Sequence, residues 1–360
     1  MVDAIAAGWL ILQNMEGFAV KFSRSTRILI AGMGLGLGFV REGDAVEPSG
    51  VAALRAEASA LRDFAQSDLA KRFLAGAADL PSVSPRVAYR DEPTRQWYTK
   101  EQADQLEPDK RAALKERTLD ETFYYTTKYG SPLAYVRAID VLAQHGVNDV
   151  AGKKLLDYGY GTVGHLRLLA ALGATAVGVD VDTLLPVLYR EPGDEGFVKG
   201  SDGRIGSVRL VHGRWPAENT AIESVGGDYD VIISKNTLKR GYIHPERPVD
   251  PKMLVDMGVS DEVFVKTLFG ALKPGGVFFI YNLSPAPSPP DKPYIPWADG
   301  RCPFDEALFK SIGFEVVAYD RDDSAAARDM GKLLEWDKGD GGMDLQNDLF
   351  AKYTILRKPT

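Results

Sequence analysis

From residue 51 onward the chain moves between two hydrophobic rhythms. Val51, Leu54, Ala58, Leu61, Ala65, Leu69 and Phe73 recur at steps of three and four with charged residues between them, which predicts one amphipathic helix over 51–73. A proline-marked connection at 81–93, a charged segment at 100–117 and an aromatic stretch at 123–130 follow. Ser131-Pro132 has the form of an N-cap and first helical residue. Leu133, Val136, Ile139 and Leu142 supply the apolar face of that helix and Gly146 its stop. Residues 46–150 therefore read as a mostly helical accessory or lid region.

After Gly152 short β-rich runs, at 154–157, 176–180, 208–212, 229–234, 277–281, 314–320 and 349–356, are separated by stretches long enough for helical crossovers. That order predicts an α/β domain over 151–360, its first five strands parallel and covered by helices on both faces. In such sheets ligands bind at the carboxyl ends of the strands, where the strand order reverses.

The residues with chemistry fall at those ends. Asp157-Tyr158-Gly159-Tyr160-Gly161 closes the first run and opens a helix, and Asp180 closes the second. The glycines permit a tight turn and close approach of a ligand to the backbone, the helix start offers unpaired N–H groups, and a strand-end carboxylate can accept both hydroxyls of a ribose. Gly159-x-Gly161-x-x-Gly164 also fits a dinucleotide fingerprint. Asp157 favours a cationic ligand, because a carboxylate ahead of the turn repels a pyrophosphate and attracts an ammonium or sulfonium.

Through these residues, the Val177-Gly-Val-Asp180 strand end and Leu272-Lys-Pro-Gly-Gly276, the chain over about residues 150 to 360 resembles the class I, Rossmann-like S-adenosylmethionine-dependent methyltransferases. The resemblance implies a seven-stranded, mostly parallel sheet whose last strand, around 353–356, runs antiparallel beside the fifth. It implies S-adenosylmethionine as cofactor, with Asp157, Gly159, Gly161 and Asp180 holding it and Gly213-Arg214-Trp215 framing its adenine. Tyr158 and Tyr160 depart from the small residues more usual at those positions, and the Asn/Asp-Pro-Pro-Tyr signature of amino-directed nucleic acid methyltransferases is absent.

Methyl transfer needs an acceptor aligned with the methyl group and, for some acceptors, a base. After the fourth run the sequence Ser234-Lys-Asn-Thr-Leu-Lys-Arg-Gly-Tyr-Ile-His244 offers His244 as base, Lys235 as a further catalytic group, and Lys239, Arg240 and Tyr242 as acceptor contacts. Each also has a structural reading, a histidine bonded ahead of a proline or a solvated basic loop. Tyr124, Tyr125 and Tyr129 precede the domain where a lid stands in the family, Tyr125 with a candidate catalytic role. Trp297, Asp299 and Arg301 sit on a stiff proline-rich loop that can close the other side.

Composition narrows the acceptor. With 43 Lys and Arg against 50 Asp and Glu, a net charge of −7 has the wrong sign for gripping phosphate backbones, so a small molecule is expected and a nucleic acid is not. One cysteine, Cys302, and four scattered histidines give neither a disulfide nor a metal cluster; Cys302 reads as a packed thiol and His145, His165 and His212 as structural. The first 45 residues combine Lys21, Arg24 and Arg27 with an apolar run at 28–39, the outline of a signal peptide behind an unusual prefix. They leave a cytoplasmic protein with a leader or misplaced start, and an exported or anchored one through 20–45, both open. No apolar stretch reaches 18 residues, so no span is expected in the mature chain. Beside the enzyme stand two other readings, a non-catalytic methyltransferase-like binding or scaffold protein and an NAD-dependent oxidoreductase, the last without an identifiable hydride partner.

Overall fold

The computed structural model describes residues 50–339 and 341–360; the leader at 1–45 lies outside them. Three short strands, β1 (Arg86–Arg90), β2 (Trp97–Tyr98) and β3 (Lys115–Leu119), form an antiparallel sheet in the order β2-β1-β3. Eight more, β4 (Lys154–Tyr158), β5 (Thr175–Asp180), β6 (Gly196–Lys199), β7 (Ile205–His212), β8 (Tyr229–Lys235), β9 (Leu272–Ser284), β10 (Glu315–Asp322) and β11 (Phe350–Arg357), form the main sheet in the order β10-β11-β9-β8-β4-β5-β7-β6. The five strands from β7 to β9 are parallel, and β11 runs antiparallel beside β9, as the methyltransferase resemblance implies.

The main sheet has eight strands where seven were expected. The addition is β6, an antiparallel edge strand whose Phe197 is 89% exposed. Lying outside the core, it carries no alternation to read.

Successive residues of a strand point to opposite faces, and the central strands are apolar on both. Leu155, Val231, Ile233 and Phe279 enter one core, while Leu156, Ile232, Phe278 and Ile280 enter the other. All seven residues of the 51–73 stripe are buried in the first core. Five of them do so from two helices, Gly50–Ala60 and Asp68–Ala75, with Ser67 capping the second, while Leu61 and Ala65 lie in the connection between them. The single helix expected over 51–73 is thus broken: the Ser67 side chain accepts the Ala70 N–H, a capping bond that starts a new helix. The cap at Ser131 and the left-handed Gly146 bound the next helical stretch as expected. The three-stranded sheet at 86–119 was not announced, because only Ala88, Tyr89 and Leu119 of its longer strands are buried.

From β4 the chain steps outward through β5 to β7, then returns to β8 on the other side of β4. The order reverses between β4 and β8, and a crevice opens at their carboxyl ends. Among the described residues no helix is long and apolar enough to cross a membrane, and no group of three or more His, Cys, Asp or Glu is placed to hold a metal.

Candidate functional site

A cleft stands at that reversal, lined by residues of the β4, β5 and β8 ends and of the 129–135 segment. Gly159 and Gly161 both take positive φ, +78° and +56°, the left-handed region that glycine adopts without penalty. Neither position has room for a side chain. A Cβ on Gly159 falls 2.2 Å from Thr237 Oγ1, and one on Gly161 falls 2.6 Å from the Tyr129 ring.

Asp180, at the end of β5, accepts the Gly161 N–H at 3.1 Å and the Asp182 N–H at 2.9 Å. Burial, reinforced by the Asp182 charge, pushes its carboxyl up to about 6. Asp182 goes the other way. Burial opposes its ionisation, but Lys128 at 2.6 Å, the Leu184 N–H and the Tyr129 hydroxyl at 3.1 Å hold its pKa below the ordinary value.

Asp157 lies beneath the cleft, 1% exposed. Its Oδ2 receives both the Tyr135 hydroxyl at 2.8 Å and His165 Nε2 at 2.5 Å, while Oδ1 is buried with no partner among the described residues. Tyr135 lines the cleft, and His165 stacks on it with ring centroids 3.7 Å apart and planes within 4°. Lys235, at the end of β8, sets its ammonium 5.0 Å from the Tyr135 ring centroid. Burial pushes it down to about 8, against the pull of the Asp157 charge.

Of the residues singled out from sequence, Gly159, Gly161, Asp180, Lys235, Tyr242 and Tyr129 line the cleft, with Asp157 below it. Others do not reach it. Gly213 N–H donates to the Asp180 carbonyl, Arg214 pairs with Asp256 at 3.0 Å, and Trp215 is buried in the second core near Tyr158 and Phe264. The Tyr124 hydroxyl donates to Asp194 and that of Tyr125 to the Pro81 carbonyl. Both are core residues, which places the catalytic candidate Tyr125 away from the cleft.

His244 does not line the cleft either. The short helix Arg240–Ile243 carries it outward to Asp261 Oδ2 at 2.7 Å, with 41% of its side chain exposed. Lys239 donates to the Leu283 and Trp297 carbonyls, and burial pushes it down to about 7. It fastens the loops after β8 and β9 together rather than presenting a charge to an acceptor. Arg240 pairs with Asp305, Arg301 with Asp299 and Glu246, and Trp297 is buried in the second core. Cys302 is buried and its thiol is pushed well up by burial, the inert state expected of it.

Sequence reasoning missed Tyr135, Asn236 and Thr237, which also line the cleft. Asn236 left a signal: an asparagine directly after a strand suits the left-handed conformation it adopts, φ +67°. Its Oδ1 accepts the Leu283 N–H and ties β8 to β9. Tyr135 was hidden inside an apolar helical face, where a tyrosine reads as packing.

No family model and no curated protein matches the chain. Among solved structures it is similar to phosphoethanolamine N-methyltransferase 2 of Haemonchus contortus, at 16% identity over 69% of this chain and 63% of that one, TM-score 0.38. It is similar to the 4+2 cyclase SpnF, at 14% identity over 89% of this chain and 100% of that one, TM-score 0.37. A third similarity is to the O-methyltransferase segment of StiE, at 12% identity over 63% and 75%, TM-score 0.35.

Proposed function

We propose that the cleft binds S-adenosylmethionine and that the chain is a methyltransferase acting on a small-molecule acceptor. The observation that carries this reading is the set of groups converging on one crevice: a glycine turn without room for side chains, a strand-end carboxylate at Asp180, and a buried carboxylate at Asp157 with one oxygen unpartnered. These fit two parts of the cofactor, its ribose and its methionine portion. Gly159 and Gly161 allow the backbone to lie against it, Asp180 suits the ribose hydroxyls, and Asp157 suits the ammonium of the methionine portion. When bound, the cofactor supplies a methyl group activated by a sulfonium.

The protein's own part is to hold the acceptor in line and to take its proton. Lys235 is the titratable group from β8 that lines the cleft, and with its pKa near 8 an appreciable fraction is free base at neutral pH. We assign it the proton from an acceptor hydroxyl or amine. The exposed His244 and the enclosed Tyr125 have no such access. Net acidity favours a small acceptor over a nucleic acid.

Calorimetric titration with S-adenosylmethionine, S-adenosylhomocysteine and NADH tests the cofactor. Micromolar binding of the first two without NADH is expected. Binding of NADH alone means that Asp157 does not repel a pyrophosphate and overturns the reading, and binding without turnover across an acceptor screen supports the scaffold alternative. Affinity should also depend on pH in a stated direction. Asp180 accepts two hydroxyls only when ionised and its carboxyl sits at about 6, so affinity holds above pH 6 and falls about tenfold per unit well below it.

A further inference from the structure

The Asp157 carboxylate is held asymmetrically. An ionised carboxylate has about four acceptor positions over its two oxygens, yet both of its side-chain donors here, the Tyr135 hydroxyl and His165 Nε2, go to Oδ2. Among the described residues Oδ1 keeps none, although it is buried. An acceptor enclosed without a partner is costly in a low-dielectric surround, and such a group asks for an explanation.

The arrangement is built from two elements and is stiff. Tyr135 ends the turn Pro132–Tyr135 and His165 lies in the first turn of the helix Gly164–Ala171. The elements touch where a Cβ on Gly164 would come within 2.7 Å of the Pro132 side chain. At that contact the two rings lie parallel, with His165 0% exposed and Tyr135 6%. Stacking sets the plane of each ring and so the direction of each donor, and an ionised Asp157 fixes the imidazole proton on Nε2. Neither ring can follow the carboxylate if it rotates.

Asp157 is connected to the cleft through two neighbours. Tyr135 and Lys235 both line it, the first bonded to Asp157 and the second drawn toward protonation by the Asp157 charge. We infer that Tyr135 and His165 are positioning residues that commit Oδ2 and thereby reserve Oδ1 of Asp157 for the ligand, making the site selective for ligands that carry a cationic amino group. This rests on the reading of the cleft as an S-adenosylmethionine site. It goes beyond that reading by giving the discrimination to a tyrosine and a histidine that need never touch the ligand.

The test compares two ligands that share the nucleoside thioether and differ in the amino acid portion, S-adenosylhomocysteine and 5′-methylthioadenosine. Calorimetry is run on the wild-type chain, on Tyr135→Phe and on His165→Asn. Tyr135→Phe keeps the ring and its stacking and removes one donor, so it should weaken S-adenosylhomocysteine by about tenfold or more and leave 5′-methylthioadenosine within about twofold. His165→Asn should show the same split where it folds. Equal losses for both ligands would make the pair merely structural, and an unchanged affinity for S-adenosylhomocysteine would remove the reservation of Oδ1; either overturns the inference while the cofactor reading stands. A wild-type chain that binds neither ligand overturns the cofactor reading, and the inference falls with it.

Discussion

Lys235 and His244 stand nine residues apart in sequence and in opposite situations, which is where a residue-scale reading of the chain gained and lost. The turn chemistry at Gly159 and Gly161 and the strand-end position of Asp180 are local, so they were legible from neighbours in sequence. Which way a side chain points after β8 depends on the Arg240–Ile243 turn, and nothing local announces that His244 leaves the cleft while Lys235 stays. Burial decides the chemistry that remains. A lysine acts as base only when neutral, so kcat/KM should rise with pH and level off above about 8. Lys235→Met should lower kcat by about 10²-fold or more and abolish that rise, with S-adenosylhomocysteine affinity nearly intact. His244→Ala should keep both the rate and the profile. A Lys235→Met enzyme with the wild-type profile removes lysine as the base.

At the scale of elements, what could be read was whatever is buried on a period. The strands β4, β5, β7, β8 and β9 were legible because they are apolar on one or both faces. β3, exposed at four of five positions, was not. The aromatic stretch before the domain was read as a lid; the structure shows where it packs. Thr127 adopts φ +46° and its hydroxyl donates to the Gly161 carbonyl at 3.0 Å, the Tyr129 ring rests on Gly161, and Lys128 pairs with Asp182. A non-glycine residue in the left-handed region persists only where its surroundings hold it, and Asp182, itself enclosed, binds both Lys128 and Tyr129. Asp182→Asn keeps an acceptor but loses the charge that attracts Lys128. Amide exchange over 126–131 should then quicken by about tenfold while β4 and β5 stay protected. Unchanged exchange would mean that packing of Tyr129, not the Asp182 charge, fastens this segment.

For the whole molecule the question is whether residues 50–150 are an appendage or part of the same cooperative unit. They contribute Val51, Leu54, Phe73 and Ile139 to the core that also holds Leu155, Val231 and Ile355, so the accessory region and one face of the sheet exclude water together. A buried polar joint ties them further. Asp194, 4% exposed, receives Arg86 from β1 at 2.5 and 2.7 Å, the Tyr124 hydroxyl at 2.8 Å and the Glu191 N–H at 2.8 Å. Removing that carboxylate strands a guanidinium whose side chain is only 10% exposed, and an uncompensated buried charge costs about 3–5 kcal/mol. The pair Arg72–Asp149, within the accessory region, has side chains 34% and 48% exposed, so its loss costs about 1 kcal/mol or less. Asp194→Ala should therefore lower the urea midpoint far more than Arg72→Ala. It should do so in a single transition seen alike by fluorescence and far-ultraviolet circular dichroism, because both parts lose one core. Two separated transitions would show that the accessory region unfolds on its own, as a body independent of the sheet.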